Sequence, residues 1–343
     1  YLIFVLLATV CDVMPLRKIN KIIASNVIKK FKINDNAVFK FIFEQLSLKK
    51  KLSINDLGYL IGPIINSGGR LGFSNYGVEL LTTDNLKLIK KRSIALIKLN
   101  EKRKLLEQNI LDQIDYEKIS KNNNKVIIYY NANLNEGLIG IIAARLKDYF
   151  NKPSIVITKS NNVLKASARS TSNYNIGNLI KLLIDKKIIE NGGGHNMAAG
   201  FSIKKNKLKS LDEFIQRDYS NKILDNNLSY KYESEVSAST INIKFMDEIN
   251  KLGPFGNHNH LPIFMIRNVK IIKPSIVNKR HISAIVKPNI GSSFKSICFN
   301  SVNTQIGNYI LSYKKHIDII GEINENIWNN KKSIQLNIKD LIL

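Results

Sequence analysis

A long stretch without glycine or proline limits the possible folds of this chain most strongly. From Asp84 to about Ile114 neither residue occurs, and apolar side chains recur every three or four positions. This spacing predicts one helix of ~30 residues, roughly 45 Å long. A helix of that length with one apolar stripe is typical of a connector between domains, so we expect a multidomain protein. The stripe comprises Leu96, Leu99, Arg103, Leu106 and Ile110.

Two regions that follow this helix differ in their periodicity. Residues 125–225 alternate apolar strands, at 126–130, 154–158 and 163–170, with helical segments, one of them at 137–146. This alternation predicts an α/β domain with a mostly parallel or mixed sheet. From about Leu228 onward, short alternating segments are separated by turn residues at intervals of about 8–12 residues, which predicts a small β-barrel or sandwich.

The charge of the chain favours a polyanionic partner. Lys and Arg number 52 against 27 Asp and Glu, which gives a formal net charge of +25. Such a surplus indicates nucleic acid before a membrane surface. The 52 divide into 43 Lys and 9 Arg, and Asn also numbers 43, so an AT-rich coding bias is an alternative source of part of the charge.

The two cysteines and the first ten residues indicate the cellular compartment of the protein. Two cysteines, Cys11 and Cys298, exclude a disulfide scaffold and a cysteine-based zinc site, and they suit a reducing, cytoplasmic compartment. The apolar run at 1–10 is shorter than the ~18 residues of a membrane span and lacks the basic start of a signal peptide. We therefore expect no membrane association and a fragment that begins inside a domain.

Asp12 directly follows this apolar run. A carboxylate at the carboxyl end of a buried strand or helix is a common metal ligand. The alternative is an Asp that caps a helix or forms a turn.

Two arginine-containing segments predict phosphate binding. The residues 66–70 read as a polar loop in which adjacent glycines expose N–H groups, and Arg70 adds a guanidinium fork. In the predicted strand at 163–170, Ser167 and Arg169 are two positions apart and so share one face. The alternatives are a plain turn and an exposed strand end. Because Arg is scarce beside Lys, each Arg suggests a contact that Lys cannot make.

The run Gly192-Gly193-Gly194-His195 is the sharpest local signal. Three glycines allow backbone angles and close approaches that other residues do not, which would hold His195 against a ligand. A simple hairpin with a structural His is the alternative. Nucleophile elbows and P-loops are excluded because their motifs do not occur in the sequence.

The predicted barrel mixes basic and ring-bearing side chains. On a small barrel this mixture suits single-stranded nucleic acid, with rings for stacking and cations for the backbone. The alternative is core Phe beside a solvated Lys face. The set comprises Phe255, His258, His260, Phe264, Arg267, Lys279, Arg280, His281 and Lys295.

Six ordered segments together resemble the RecJ family of single-strand-specific DNA exonucleases. They are LLATVCDVMPL, IGPIINSGGRLG, NEGLIGIIAARL, KASARS, NGGGHNMAAGFSI and KLGPFGNHNHLPIF, and they span positions 6–264. The resemblance implies an α/β multidomain fold. Its parts are the end of a DHH phosphoesterase domain at 1–82, a connecting helix at 83–118, a DHH-associated α/β domain at 119–226, and a terminal oligonucleotide-binding (OB) barrel at 227–343.

The resemblance also implies an activity, namely 5′-to-3′ degradation of single-stranded DNA in repair and recombination. Two Mn²⁺ or Mg²⁺ ions held by carboxylates and His would activate water. The implied partners are single-stranded DNA and other DNA-repair proteins, and the implied state is a monomer. The family's Asp-x-Asp and Asp-His-His motifs do not occur in the 343 residues, so we expect them before residue 1 and expect the fragment alone to be inactive.

The resemblance assigns roles to individual residues. Asp12 matches the family's last metal-ligand Asp, and it is the one metal ligand expected here. Ser167 and Arg169 are implied to bind the 5′ phosphate, and the Gly194-His195 turn is implied to face the cleft. His195 is implied to be catalytic together with Asp12. The further residues implied at the phosphate or DNA are Arg70, Gly193, Asn135, Arg280 and Lys295. Asn135 stands where relatives often carry His.

Two other functions stay open at this point. The first is a non-catalytic module that binds single-stranded nucleic acid, since one Asp cannot hold two metal ions. The second is a DHH-family phosphodiesterase that acts on short oligonucleotides or cyclic dinucleotides. The predicted barrel argues against the second, because such small substrates need no barrel that tracks a strand.

Overall fold

A computed structural model describes residues 1–122, 124–161, 163–221, 231–312, 315–328 and 331–342. The domain boundary predicted at 226/227 lies outside these residues. The α-helices are α1 Leu2–Cys11, α2 Lys18–Lys30, α3 Ala37–Gln45, α4 Ile54–Asp56, α5 Gly62–Arg70, α6 Asn75–Thr82, α7 Leu86–Asp112, α8 Tyr116–Lys121, α9 Ile139–Phe150, α10 Ile176–Asp185, α11 Leu208–Asn221, α12 Ile243–Lys251 and α13 Gln305–Ser312. The strands are β1 Ile127–Tyr130, β2 Ser154–Ser160, β3 Val163–Arg169, β4 Asn191–His195, β5 Ala198–Ile203, β6 Ser234–Glu235, β7 Ile263–Val277, β8 His281–Pro288, β9 Phe294–Cys298, β10 Ile317–Trp328 and β11 Lys331–Ile342.

The chain forms two compact units. The first contains residues 1–31, 52–58 and 228–343, and the second contains residues 32–51 and 59–227. No helix in the described part of the chain is long and apolar enough to cross a membrane.

A five-stranded mixed sheet lies in the second unit. Its strand order is β1-β2-β3-β5-β4, with β1 and β2 parallel and the other neighbours antiparallel. On one face, apolar residues of α9 and of the end of α7 form a core with Ile127 and Val156. On the other face, α10 and α11 pack against alternate residues of β2, β3 and β5. The predicted α/β fold with a mixed sheet is confirmed.

The predicted connector is helix α7. Asn85 caps it, because its side chain accepts hydrogen bonds from the N–H groups of Lys87 and Leu88. The helix ends at Asp112, two residues before the predicted end. Its buried positions follow helical spacing, but several of them are polar, which the apolar stripe did not predict. These positions are Ile89, Ser93, Leu96, Asn100, Arg103, Glu107 and Leu111.

The segment at 66–70 is helical, so its prediction as a polar loop is wrong. It forms the second half of α5, and Arg70 is the last residue of that helix. Gly68 is required for packing, since an added Cβ would lie 2.7 Å from the carbonyl oxygen of Phe73 and 3.1 Å from Cδ2 of Leu96. The glycine therefore allows α5 to approach α7 closely and does not expose a turn.

The glycine run is a strand, so its prediction as a turn ahead of a strand is corrected. Residues 191–195 form β4, which pairs with β5 along its whole length, and the hairpin turn follows at 196–197. A Cβ on Gly194 would lie 2.4 Å from the carbonyl oxygen of Ala198. The absence of side chains thus lets this edge strand lie close to its neighbour.

A closed barrel lies in the first unit. Its strands follow the order β10-β11-β9-β8-β7, and a further pairing of β10 with β7 closes the ring. The pairing of β11 with β9 is parallel, and α13 lies in the chain between β9 and β10. Alternate residues of the strands fill the interior, among them Val269, Val286 and Leu336. This arrangement confirms the small β-barrel that the spacing of the segments predicted and the OB fold that the family resemblance implied.

Candidate functional site

The register of three strands brings the predicted phosphate-binding residues onto one face of the mixed sheet. Ser167 of β3 pairs with Gly200 of β5, which pairs with Gly193 of β4. Paired residues on antiparallel strands share a face, so these three positions form one row. The two glycines carry no side chain, and an added Cβ on Gly193 would have no neighbour within 4 Å. This row therefore leaves open space beside Ser167.

The next row contains the predicted Arg and His. Arg169 pairs with Ala198, which pairs with His195. His195 thus lies on the same face as Arg169, two strands away and roughly 9.6 Å across the sheet. Its side chain is exposed, and its carbonyl group packs against Gly177 at the start of α10.

Helix α9 covers this face and turns its first residues toward Arg169. A Cβ on Gly140 would lie 3.0 Å from Nη2 of Arg169 and 3.1 Å from Oγ of Ser167. The residue that caps α9 is Leu138, whose side chain has no polar atom. The N–H of Ile141 donates to the carbonyl oxygen of Leu138 at 2.9 Å, whereas the N–H groups of Ile139 and Gly140 find no acceptor in the side chain of the cap and are available to an anion.

Arg70 reaches the same place from the end of α5. Its Nη1 donates to the carbonyl oxygen of Gly137 at 3.1 Å. Gly137 must be glycine, because an added Cβ would lie 2.1 Å from the carbonyl oxygen of Arg70. The end of α5 and the turn before α9 are therefore in backbone contact.

Arg70, Ser167 and Arg169 line a cleft of about 510 Å³, which we call the arginine cleft. Gly193 and His195 share the face of the sheet with them but do not line the cleft. Both sheet and helix contribute to its wall. The lining residues are Gly69, Arg70, Glu136, Gly137, Ile139, Gly140, Lys165, Ala166, Ser167, Arg169, Asn191, Gly192, Gly200, Phe201 and Ser202.

The two arginines of the cleft repel each other. Burial lowers the pKa of Arg169, and the charge of Arg70 lowers it further. Burial also lowers the pKa of Arg70, followed by the charge of Arg103, while the charge of Glu107 acts in the opposite direction. Both guanidinium groups stay protonated at physiological pH, because arginine does not lose its proton in proteins. An anion between them would relieve their repulsion.

Internal hydrogen bonds fix the shape of the cleft. Nη1 of Arg169 donates to Oγ of Ser167 at 3.2 Å and to the carbonyl oxygen of Ala168 at 2.8 Å. Glu136 accepts from the hydroxyl of Ser160 at 2.7 Å, which holds its carboxylate. Asn135 lies outside the lining and is exposed; its Oδ1 accepts from the N–H of Gly137 at 2.8 Å. Asn135 therefore shapes the turn that leads into α9.

Asp12 is the C-cap residue of α1 and is exposed. Its backbone N–H donates to the carbonyl oxygen of Ala8. This position at the helix end matches the alternative interpretation of Asp12 as a helix cap. Burial, and then the charge of Asp12, raise the pKa of the neighbouring Cys11 thiol. Among the described residues no group of three or more His, Cys, Asp or Glu is placed to hold a metal ion.

The segment after Asp12 is held by the turn at residues 253–260. Val13 has a φ of 55°, a left-handed conformation that is strained for a β-branched residue. The side chain of Asn257 donates to the carbonyl oxygen of Val13, and the N–H of Leu16 donates to the carbonyl oxygen of Asn257. This turn belongs to the motif KLGPFGNHNHLPIF, whose structural role the sequence did not indicate.

On the barrel, the predicted cations lie on the outside. Lys295 is exposed on β9, where it alternates with buried Phe294 and Ser296. Arg280 is exposed in the turn between β7 and β8. In chain order β8 and β9 are the second and third strands of the barrel, and the turn between β7 and β8 is its first connection. OB folds bind oligonucleotides on the face of these two strands and at this connection.

Several other predicted contacts on the barrel have structural roles. Phe264 is a core residue, and Phe255 packs against the same core. Arg267 bonds to Glu235 and Asp318. The exposed ring on this surface is Phe299, which the sequence analysis did not single out. It is 53% exposed and meets the His281 ring edge to face at 5.2 Å.

Family models match both of these regions. Residues 123–221 match the DHHA1 domain, and residues 232–340 match the RecJ OB domain. The first contains Ser167, Arg169 and the glycine strand, and the second contains the closed barrel.

Relatives and solved structures match nearly the whole chain. The single-stranded-DNA-specific exonuclease RecJ of Bacillus subtilis is 27% identical over 97% of this chain and 43% of its own length. The enzyme of that name from Haemophilus influenzae is 25% identical over 97% of this chain and 60% of its own length. Crystal structures of Thermus thermophilus RecJ with Mn²⁺ and with Mg²⁺ each give a TM-score of 0.80 at 19% identity. They cover 99% and 100% of this chain and 49% and 52% of their own.

The chain spans about half the length of the curated relatives it matches. The structures share its fold, and the sequence relatives match it along nearly its whole length. The resemblance to the RecJ family is therefore confirmed, and the chain contains a DHHA1 domain followed by a RecJ OB domain.

Proposed function

We propose that the arginine cleft binds the 5′-terminal phosphate of a single DNA strand. The observation that carries this proposal is the pair of half-buried, mutually repelling guanidinium groups, Arg70 and Arg169, at one cleft. The first turn of α9 adds N–H groups and the positive end of its dipole. A terminal phosphate carries about −1.5 to −2 charges at pH 7, more than the single charge of an internal phosphodiester. The cleft therefore favours the end of a strand over its interior.

Within this cleft each residue has a separate task. Arg169 supplies a fork of parallel donors and Ser167 a hydroxyl, and the Gly193–Gly200 row leaves room for the sugar-phosphate backbone. We propose that His195, in the Arg169 row, contacts the first nucleotide near the bond to be cleaved. Gly193 is the proposed strand contact of β4, whereas Gly194 pairs with Ala199 on the opposite face and lets β4 lie close to β5.

We propose that the barrel holds the interior of the strand. Phe299 and His281 offer rings for base stacking, while Arg280 and Lys295 offer cations to the backbone. Relatives that match nearly the whole chain are named as single-stranded-DNA-specific exonucleases, which supports DNA as the strand.

For the whole protein we propose metal-dependent 5′-to-3′ exonuclease activity on single-stranded DNA in repair and recombination. The RecJ crystal structures contain Mn²⁺ or Mg²⁺, which supports these ions as cofactors. Asp12 is the proposed ligand in this chain. Its exposed carboxylate suits such an ion, but the described residues do not assemble a ligand set around it, so we derive no hydrolytic step through a metal. We further propose a cytoplasmic monomer that works with other DNA-repair proteins.

The lack of a metal-binding group among the described residues supports a second function. Because no metal-binding group forms among the described residues, the 343-residue chain by itself fits a non-catalytic module that binds single strands. We expect it to show no metal-dependent nuclease activity. In a protein that also carries the Asp-x-Asp and Asp-His-His motifs, Asp12→Ala should abolish hydrolysis while strand binding persists. Hydrolysis that survives this substitution would exclude Asp12 as a ligand.

Phosphate binding can be tested with this chain directly. The affinities for matched single strands with a 5′ phosphate or a 5′ hydroxyl are compared for the wild type and Arg169→Lys. Lys cannot reproduce the fork of donors, so the preference for the phosphate should fall by about 1.5–3 kcal/mol, roughly ten- to a hundredfold.

The matched control is Arg217→Lys, at an exposed Arg on α11 that does not line the cleft. This control should keep the wild-type preference. If Arg169→Lys also keeps it, the phosphate binds elsewhere and the proposal fails.

A further inference from the structure

Helix α7 buries the charged side chains of Arg103 and Glu107, neither of which lines the arginine cleft. Arg103 is 9% exposed, and its Nε and Nη2 donate to Oδ1 of Asn100 at 3.2 and 2.9 Å. Its Nη1 donates to Oε2 of Glu107 at 2.7 Å, and Glu107 is 6% exposed. Buried charges are rare unless they are paired, and here the guanidinium is hydrogen-bonded to both Asn100 and Glu107. A helix that serves only as a spacer does not require such a group.

Glu107 also binds the helix whose first turn lines the cleft. Its second oxygen, Oε1, accepts from Nε of Arg145 on α9 at 2.7 Å. The side chain of Arg145 is 54% exposed, and this bond connects it to the buried carboxylate of Glu107. The carboxylate of Glu107 thus joins α7 to α9.

The helix that carries Arg70 is fastened to α7 as well. The hydroxyl of Ser67 on α5 donates to the carbonyl oxygen of Leu96 at 3.0 Å. At its end, α5 contacts the turn before α9 through Arg70 and Gly137. The three helices α5, α7 and α9 are therefore joined pairwise, and Glu107 provides the bond between α7 and α9.

The charges of this group also act on Arg70. The positive charge of Arg103 disfavours the charged form of Arg70, and the negative charge of Glu107 favours it. Removing the charge of Glu107 would leave Arg103 uncompensated near a cleft that already holds two repelling guanidinium groups. Glu107 therefore influences both the position of α9 and the charge balance of Arg70.

We propose that Glu107 is a positioning residue of the arginine cleft, which sets the first turn of α9 and Arg70 in place for a terminal phosphate. The proposal rests on the proposed function of the cleft, since it concerns selectivity for that phosphate. Glu107 does not touch the ligand in this scheme. It acts through Arg145 on one side and Arg103 on the other.

The test is Glu107→Gln in the 343-residue chain. The variant keeps the size of the side chain but loses its charge and one acceptor. We expect the ratio of affinities for 5′-phosphorylated and 5′-hydroxyl single strands to fall about tenfold, the lower end of the cost of losing a residue that orients ligand-binding groups. A partly unfolded population weakens binding of both strands equally, so this ratio does not respond to a loss of stability.

The matched control is Glu79→Gln. Glu79 pairs with Arg92 of α7 and does not line the cleft, and its substitution changes the net charge by the same amount. Non-specific attraction to DNA therefore rises equally in both variants. The control should keep the wild-type ratio.

A second pair of variants applies if Glu107→Gln does not fold. Arg145→Gln removes the bond to α9 from its exposed end and leaves Arg103 paired, and Lys147→Gln removes one charge from the same helix. The ratio should fall for the first variant only. A wild-type preference that Glu107→Gln and Arg145→Gln both retain would overturn this inference alone. A wild type without any preference would overturn the proposed function of the cleft together with it.

Discussion

Gly140 and Arg169 lie so close that a single added methyl group would meet the guanidinium. The position of a Cβ on Gly140 is 3.0 Å from Nη2 of Arg169, which is the free end of a flexible side chain. Arg169 could move away by a few tenths of an ångström, but it would then leave the place where it faces the cleft. A substitution at Gly140 can therefore change the geometry of the cleft without destabilising α9.

Gly140→Ala should therefore weaken phosphate selectivity without destabilising the protein. Ala is favoured over Gly inside a helix by up to about 1 kcal/mol, which offsets the displacement of Arg169. We expect an unchanged or higher melting temperature and a clear loss of preference for 5′-phosphorylated strands. Affinity for 5′-hydroxyl strands is the internal reference and should not change. A large fall in melting temperature would contradict this account.

The glycines of β4 should respond differently to alanine. At Gly194 a Cβ would lie 2.5 Å from atoms of Ala199, a contact that forces the strand to shift and costs typically 1–3 kcal/mol. At Gly193 the Cβ would enter open space. Denaturant unfolding should therefore show a lower free energy of unfolding for Gly194→Ala and an unchanged one for Gly193→Ala. The second variant should nevertheless bind single strands more weakly, because its methyl group enters the space proposed for the sugar-phosphate backbone.

Phe299→Ala should weaken binding of single strands to the barrel by about 1–3 kcal/mol, the usual contribution of one stacked base. The measurement is fluorescence anisotropy with a 5′-hydroxyl strand, which does not report on phosphate selectivity. Tyr59→Ala removes an exposed ring of the other compact unit, 84% exposed, and should leave the affinity unchanged. Equal effects of the two substitutions would argue against stacking on Phe299.

The preference for 5′-phosphorylated strands should decrease at low pH. The second pKa of a terminal phosphate is about 6, so the ligand loses part of its negative charge below that value. Although burial lowers the pKa of Arg70 and of Arg169, both remain charged across this range. Affinity ratios measured between pH 5.5 and 8 should therefore rise with pH and level off above about pH 7. A flat profile would indicate that the cleft does not distinguish the dianion.

The strand that carries Ser167 and Arg169 was predictable from local sequence. Ser167 and Arg169 alternate with small buried residues, a period of two that requires one shared face. The partners of this pair were not predictable, because Gly140 and Arg70 come from helices separated from it by many residues. Their proximity depends on the packing of α5 and α9, which no local pattern encodes.

The glycine-rich segments were misinterpreted for one physical reason. Glycine is required both where the backbone turns and where two elements approach closely, and a single sequence does not distinguish the two needs. At Gly68 and Gly194 the need is close approach, so a helix and a strand form where turns were predicted. In α7 the prediction placed Leu99, Leu106 and Ile110 on the buried stripe, whereas the buried positions are Asn100, Glu107 and Leu111, each one residue further along the helix.

The hydrogen bonds that support the segment after Asp12 have a consequence for protein synthesis. They join Arg17 to His258 and Val13 to Asn257, across 241 and 244 positions of the chain. At about 5–20 residues per second, the ribosome needs roughly 12 to 50 s to make the intervening polypeptide. During that interval Val13 and Arg17 lack these partners, so the segment between α1 and α2 is unsupported until the 253–260 turn has been made.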